Sequence, residues 1–512
     1  MDTADNVLKG VAATTAAENP SASKTFEVDP IEEQALQEFL DLLPKSLNIS
    51  RPGEAQYEED IVHWATSSTF KGVCTFRPDT ADDISLFFKT LDKVPNALGS
   101  FGVKSGGHSG NPGFSSSPGG LICMKNFDQV EYDATTKTAV IGAGQIWDHV
   151  YEELAKHDVS VLGARVTHIG VAGFLLGGGY SWQTNQYGLA IDSVIAYELV
   201  KPDGTIVNVT EASDPDLFFA LKGGGNNLGI VTKFTMKTFP LGQVWGGAFL
   251  IMENPDEPQK AEQIKKLYTA VQTFIDKVID PKAAILISLG TVPGPDDSSP
   301  KLLNIQAFYD GPSPPPGIFD IFQEIAPSET SSNWKTRDYP DLIKNTMSYD
   351  VSKNYRGSFD TVALARYTPN LLQTIWNENE YWAKELPYQK TSRILLSYSI
   401  EPFLPNILSH GSPAAYPPDR KIAFSPFPIY LSWDPSKPEK DAELVKAMKM
   451  ISKRIQEAAK REGIAVGPKY PNYAIAGTPL EEMYGTNVER LKKTKARIDP
   501  KNIMGRAGGF KF

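Results

Sequence analysis

Apolar residues recur along this chain in two rhythms. Where they return every three or four residues they mark helix faces. Ile31, Ala35, Leu36, Phe39, Leu40 and Leu43 make one such face, with Asp29 as cap, Pro30 in the first turn and Pro44 as the stop. Ile84, Phe87, Phe88 and Leu91 make a second behind Thr80, and Ile146, Val150 and Leu154 a third within 145–157. Short runs bounded by turn residues predict strands instead: GVCTF, ALGSFGVKS, GGLICM, QVEYD, TAVIGAG and GIVTKFTMKTF. IDSVIAYELV, a Pro-Asp-Gly turn and TIVNV predict a hairpin. Residues 72–240 therefore read as a mixed α+β domain rather than a βαβ repeat.

Beyond Pro240 the rhythm changes. Proline-rich loops (VPGPDDSSP, YDGPSPPPG) separate the strand patterns AAILISLG and RILLSYSI from the helix patterns AEQIKKLYTAVQTFI and DAELVKAMKMISKRIQEAAKREG. The expected organisation is a disordered tail at 1–28, a helix and first domain at 29–240, and a second domain built on an antiparallel sheet at 241–465. A closing segment at 466–512 carries one helix around 487–497 and a glycine-rich end. No internal repeat is visible.

Composition narrows the classes. With 51 basic against 61 acidic side chains, net charge −10, the 512-residue chain lacks the electrostatic footprint of a nucleic-acid binder. No apolar run reaches the roughly 18 residues that span a bilayer. Cys74 and Cys123 are the two cysteines, too few for a disulfide framework or a cysteine-rich metal site. The first twenty residues lack the pattern of a secretory signal, and the sequons at Asn48 and Asn208 carry little weight. An intracellular, cytoplasmic protein with no membrane association is expected.

Chemistry concentrates in glycine loops. VKSGGHSGNPG (103–113) follows a predicted strand and holds His108 among small residues. Consecutive small residues let backbone N–H groups converge on an anion. Gly106 and Gly107 permit close approach, and the hydroxyls of Ser105 and Ser109 are available as donors. A surface turn with an exposed histidine is the alternative. Gly170, Gly173, Gly177, Gly178 and Gly179 form a second cluster in otherwise apolar sequence; of these, Gly177–Gly179 are too flexible to favour helix and make sense where backbone presses against something flat or crowded. A third, KGGGNNLGIV, leads into the closing strand through Gly229, Ile230 and Val231. Neither a G-x-G-x-x-G turn after a strand nor a G-x-x-x-x-G-K-[ST] loop occurs, which leaves a large phosphate-bearing cofactor held mostly by backbone.

Taken together, VKSGGHS, GVAGFLLGGGYSW with YGLAIDSVIAYELVKPDG, and FFALKGGGNNLGIVTKF resemble the flavin domain of the vanillyl-alcohol oxidase / p-cresol methylhydroxylase superfamily. KYPNYA with YGTNVERLKKTKARIDPKNIM is similar to the carboxy-terminal block of its berberine-bridge-enzyme-like group. The resemblance implies the two-domain FAD-binding fold of the p-cresol methylhydroxylase type, with an antiparallel-sheet substrate domain. It implies FAD bonded covalently through His108, a link that raises the flavin's potential and prevents its loss. Ser105, Gly106, Gly107, His108, Ser109 and Gly110 would hold the pyrophosphate. Gly170, Val171, Gly173 and Gly177–Gly179 would line the isoalloxazine and ribityl side, while Asp192 and Gly229–Val231 would pack the adenosine half. His168 and Ile169 fall beside the flavin, His168 as a hydrogen-bond donor or as a structural histidine. Where some relatives carry a second, cysteinyl link this chain has Val166, so a single attachment is expected. The scattered His63, His149, His157 and His410 imply no metal.

The family's chemistry is hydride transfer to flavin N5 while a base takes a substrate proton, with oxygen as the usual acceptor and hydrogen peroxide as product. Tyr470 and Asn472 match its Tyr-x-Asn element, Tyr470 as base or as a shaper of the pocket; Asn472 also meets the cofactor. Three departures matter. SPFPIYLSW offers Pro426 and Pro428 where relatives carry a Glu, Gln or Asp base, so either a tyrosine such as Tyr430 takes over or no strong base is needed; Phe174 stands where many carry a histidine; Ile169 adds bulk on the oxygen side. Tyr398, Ile400, Tyr430 and Trp433 are expected to face the flavin or to be ordinary sheet core. The leading expectation is an FAD-dependent oxidase that oxidises or oxidatively cyclises a mid-sized, rather apolar natural-product metabolite. The alternatives are a redox-neutral cyclase or isomerase on the same scaffold, a carbohydrate oxidase, and a non-enzymatic carrier.

Overall fold

The computed structural model describes residues 33–292, 299–346, 353–386 and 394–512. The expected tail, and the expected first cap at Asp29 with Pro30 and Ile31, lie outside these residues. The first described helix, Glu33–Leu42, buries Leu36 and Phe39 and stops before Pro44, as its pattern predicts. Helix Ala81–Lys93 starts at a capping box: the Asp83 N–H donates to Thr80 Oγ1 at 3.3 Å, and the Thr80 N–H to the Asp83 carboxylate at 2.9 Å. This helix bridges parallel strands, which no hairpin can join. It lies between β2 (Cys74–Arg77) and β3 (Phe101–Lys104), both parallel to β4 (Gly120–Cys123), with β1 (Asn48–Ser50) at the far edge.

A five-stranded antiparallel sheet follows. Its order is β5 (Val130–Asp133), β6 (Thr138–Gly142), β10 (Ile230–Lys237), β8 (Val194–Val200), β9 (Ile206–Val209). The β8–β9 hairpin turns where Pro-Asp-Gly predicts it, the Gly204 N–H donating to the Lys201 carbonyl at 2.8 Å. A two-stranded ladder, β7 (Val159–Ser160) with β11 (Phe239–Pro240), completes this half.

The second half is one seven-stranded sheet. Its order is β15 (Lys335–Arg337), β12 (Val244–Met252), β14 (Lys301–Tyr309), β13 (Ala283–Thr291), β17 (Leu395–Ile400), β18 (Ser425–Trp433), β16 (Arg356–Leu364), antiparallel throughout. Helices Gln259–Lys277, Pro369–Glu385 and Asp441–Arg461 bury their apolar faces in the same core as one face of this sheet. Side chains alternate along a strand, so each residue on that face has neighbours on the other. Ile287, Leu289, Leu396, Tyr398, Ile400, Ile429, Leu431 and Trp433 point into the helix-covered core. Of the two readings open for Tyr398, Ile400 and Trp433, sheet core is the one the structure shows. Register supplies the reason: Tyr398 pairs with Ile429, and Ser397 with Tyr430, so Tyr430 shares a face with Ser397 and Ser399.

After helix Asp441–Arg461 the chain returns to the first half. Tyr470, Ala474, Leu491, Met504 and Ala507 join the first core, and Ala507 bridges to Phe101. Asp499 fastens the last turn, its carboxylate accepting from Lys495 Nζ at 2.6 Å and from the Ile503 and Met504 N–H groups at 2.8 Å each. Among the described residues no helix is long and apolar enough to cross a membrane.

Candidate active site

The histidine loop begins where β3 ends. Lys104 is buried and donates Nζ to the Asp60 and Val62 carbonyls, pinning this strand end to the segment that carries Trp64. The Trp64 N–H donates to the Gly107 carbonyl at 3.0 Å, and Gly107 takes a left-handed φ of +69°. That turn lays the His108 ring flat on Trp64, with centroids 4.4 Å apart and planes 17° from parallel. Burial pushes the imidazole pKa down to about 4, so His108 is neutral at physiological pH. Ser105 Oγ donates to the Ala143 carbonyl at 2.7 Å, while Ser109 Oγ accepts from the Asn111 N–H at 3.3 Å. Gly110 closes the loop against Phe359 and Gly357.

Facing it is the second glycine cluster. A Cβ on Gly170 would sit 2.2 Å from the Gly106 nitrogen, so the two loops meet backbone to backbone. Gly170 is the N-cap of a helix, Val171–Gly177, which ends where the run Gly177–Gly179 disfavours helix. Only its last glycine lies next to unusual backbone, Gly178 and Gly179 having φ of +127° and +85° and ending the helix. Gly173 lies exposed within that helix, and a Cβ there would meet nothing within 4 Å. His168 is exposed with a left-handed φ of +62°, its N–H donating to the Asp148 carboxylate. Ile169 is partly buried and its carbonyl accepts from the Trp147 N–H at 3.1 Å. Phe174 packs edge-on against Trp147.

The carboxy-terminal block locks onto both loops. Asn111 donates Nδ2 to the Ala474 carbonyl and accepts from the Ala476 N–H, both at 2.9 Å. Asn472 fills the space a Cβ on Gly177 would need and donates to the Phe174 carbonyl (3.1 Å) and to Tyr470 Oη (3.0 Å). Tyr470 Oη also accepts from the Gly179 N–H at 3.0 Å. Burial raises the Tyr470 pKa, and these two hydrogen bonds only partly oppose it. Gly229, Ile230 and Val231 are built into the sheet, where a Cβ on Gly229 would meet the Val200 carbonyl at 2.3 Å. Asp192 is buried, with Arg420 at 2.6 and 3.0 Å, the Leu189 N–H at 3.0 Å and Lys222 at 3.8 Å.

Above the loops stands an aromatic roof from the other half. Tyr430 lies 4.5 Å from Phe359 and 5.5 Å from Trp64, ring centre to ring centre, and Phe359 stacks toward Tyr473 at 6.1 Å. Beside Tyr473 runs a buried ion pair, Arg165 with Glu401 at 2.9 Å. Sequence reasoning brought out the glycine loops, His108, Tyr430, Tyr470 and Asn472, and missed Trp64, Asn111, Arg165, Phe359, Glu401 and Tyr473. Glu401 alone carried a local signal, since strand alternation through RILLSYSIE puts it on the Ser397–Ser399 face.

The site is thus two glycine loops in backbone contact, Gly106 against Gly170, with Gly173 open beside them, under an aromatic roof and beside a neutral imidazole. A flat ring with a phosphate tail satisfies both the bare backbone and its N–H groups. These residues fit FAD. The FAD binding domain family matches residues 74–210, and the berberine and berberine-like family residues 469–505. An uncharacterized FAD-linked oxidoreductase of Arthroderma benhamiae is 37% identical over 291 residues, 56% of this chain; the match spans 55% of that protein, about half its length. FAD-dependent monooxygenase FUP4 of Fusarium proliferatum is 30% identical over 481 residues, covering 90% of this chain and 88% of that one. Berberine bridge enzyme of Eschscholzia californica shares the fold, with a TM-score of 0.71 at 16% identity over 92% of this chain and 97% of that one. On its glycine loops, its carboxy-terminal block and these relatives, the chain belongs to the berberine-bridge-enzyme-like FAD-linked oxidoreductases of the vanillyl-alcohol oxidase / p-cresol methylhydroxylase superfamily.

Proposed function

We propose that this oxidoreductase carries FAD on a single covalent link to His108 and oxidises, or oxidatively cyclises, a mid-sized natural-product metabolite with an apolar body. The observation that carries the link is the imidazole itself, stacked on Trp64 and held neutral. A neutral ring nitrogen has the lone pair that a bond to carbon requires, and the stack fixes the plane in which it is presented. The bound cofactor supplies a two-electron acceptor that molecular oxygen restores, with hydrogen peroxide as product.

The chain's own groups supply place and dryness. Backbone N–H groups of Ser105–Gly110 would hold the pyrophosphate. Gly170, Val171, Gly173 and Gly177–Gly179, with His168, Ile169 and Asn472, would border the ring, and Asp192 with Gly229–Val231 the adenosine half. Tyr430, Phe359 and Trp64 exclude water above it and present aromatic surface to an apolar substrate.

The test is acid precipitation of the purified protein, washing, and peptide mass analysis of the pellet. Flavin mass on the peptide containing His108 is expected, and none in the His108→Ala protein; flavin in the supernatant refutes the link. Anaerobic bleaching by substrate, with peroxide in air, then separates oxidase turnover from redox-neutral cyclisation, which converts substrate without bleaching.

A further inference from the structure

On the seven-stranded sheet, the face turned away from the helices carries a pattern that the proposed function leaves unused. Residues paired across strands share a face, so one row crosses six of the seven strands. It runs from Phe359 to Tyr430, Ser397, Gly290, Leu302 and Met252, each paired with the next. A neighbouring row, two residues along each strand, pairs Ser399 with Ser288, Ser288 with Asn304 and Asn304 with Leu250. Four strand spacings of about 4.8 Å put Met252 roughly 19 Å from Tyr430.

Along these rows the chemistry changes in order. The inner end is the aromatic roof, Tyr430 beside Phe359 and Trp64. The middle is small and hydroxylic: Ser288 Oγ and Ser399 Oγ lie 2.9 Å apart, and since one proton serves that bond, the other hydroxyl can still donate. Gly290 adds no side chain to interrupt the row. The outer end is apolar, Leu302 with Leu250 and Met252, and the last two are 59% and 44% exposed. Other exposed large apolar residues, such as Leu42, Phe70 and Ile422, lie off this sheet. A solvated face of an antiparallel sheet is ordinarily polar, so a leucine and a methionine at the outward positions of β12 need a reason. Tyr430, Ser397, Ser399, Asn304 and Leu302 are all half-buried, which makes the partly open surface continuous from the roof to the edge strands.

We propose that Leu302, Leu250 and Met252 dock an unbranched hydrocarbon chain carried by the substrate, whose oxygen atoms meet the serines and whose reacting end lies under Tyr430. The substrate is then an elongated amphiphile, an oxygenated head with an alkyl or polyene tail reaching out over the edge strands. Continuity with the roof and the order of aromatic, hydroxyl and apolar groups single out this occupant. A flexible chain also suits Met252, whose unbranched thioether adapts to what lies on it. Three side chains are too small a patch for a second copy of the protein, since a stable interface takes about 800 Å² from each partner.

The tail site rests on the proposed function for its inner end, and its test reads binding rather than turnover. The probes are the methyl, butyl and octyl esters of 4-hydroxybenzoic acid, which carry a phenol, ester oxygens and a chain of graded length. They are titrated into the holoenzyme below their micelle concentrations and followed by calorimetry. Full burial of a methylene is worth about fourfold in affinity, so one covered on a single side should give about twofold, and octyl should bind about fifteenfold tighter than butyl. Leu250→Ser with Met252→Ser changes two exposed side chains and should cut that ratio to about threefold. Melting temperature and flavin content serve as fold controls, and if the double variant misfolds, Met252→Ser alone should still lower the ratio. A wild type that binds butyl and octyl alike, or neither, overturns the proposal, as do variants that keep the wild-type ratio. Sedimentation of the wild type as a dimer and of the double variant as a monomer would overturn it too, giving the patch to a second copy. Flavin released on acid precipitation would refute the His108 link and leave the octyl-to-butyl ratio untouched.

Discussion

Gly173 lies inside helix Val171–Gly177, on its exposed side, with nothing within 4 Å of where a Cβ would stand. Its backbone is ordinary helix, so folding has no use for glycine there. Alanine in a helix interior is worth about 0.5–1 kcal/mol over glycine, a factor of roughly two to five in the folding equilibrium. That gain is best read without cofactor, in the His108→Ala background. There, adding Gly173→Ala should raise the melting temperature by about 1–2 °C. With His108 intact, the same substitution should lower the ratio of flavin absorbance to protein, and Gly173→Leu should lower it further, because the added atoms occupy the side assigned to the ring. Two results refute the reasoning. A lower melting temperature for flavin-free Gly173→Ala would show that the fold requires glycine after all. Full flavin content in Gly173→Leu would show that the cofactor lies elsewhere.

Other expectations follow from single contacts. Asn111→Ala strands the Ala474 carbonyl and the Ala476 N–H; with one buried group costing about 1–3 kcal/mol, denaturant unfolding should register a loss of about 2–4 kcal/mol. Gly170→Ala drives a methyl into the Gly106 backbone and should abolish flavin retention, measured by absorbance of the purified protein. Glu401→Ala leaves buried Arg165 without its counterion and should cost about 3–5 kcal/mol in the same unfolding assay, more than Glu401→Gln. His63 is buried and burial holds its pKa down to about 4, against 6.5 in the unfolded chain. Between those values the unfolded state binds the extra proton, so stability falls as pH drops from 6.5 to 4, by up to about 3 kcal/mol, and is unaffected by this group above 6.5. Melting curves of His63→Gln should show that slope flattened.

What the sequence made legible was whatever rests on local pattern. Helix Ala81–Lys93 was visible from its cap and its face, and the β8–β9 hairpin from its turn. Strands β12, β14 and β16 went unnoticed because proline-rich flanks hide short alternations such as KLLNIQAFY. The direction of Tyr398 could not be read, since one-residue parity depends on which strand pairs with which. The run Gly177–Gly179 marked where helix Val171–Gly177 ends, while the helix itself is too short, and too interrupted by Gly173, to show a periodic face. His108 stood out because its neighbours are so small, but its partner Trp64 lies 44 positions away along the chain and carries no mark of its role. Arg165, Glu401 and Tyr473 belong to three segments, and no window along the chain contains them together.

The Asn111 clamp also sets a timetable. It joins positions 363 and 365 residues apart, so the histidine loop leaves the ribosome well before the block that closes over it. At about 5–20 residues per second that interval is roughly 20–70 s. Throughout it the glycine loops lack Asn472 and Tyr470, and Arg165 lacks Tyr473. On the proposed assignment of these loops to FAD, cofactor capture should wait for the end of synthesis, and a chain cut short before residue 470 should show no flavin absorbance after purification. Yellow colour would then report completed translation as well as bound flavin.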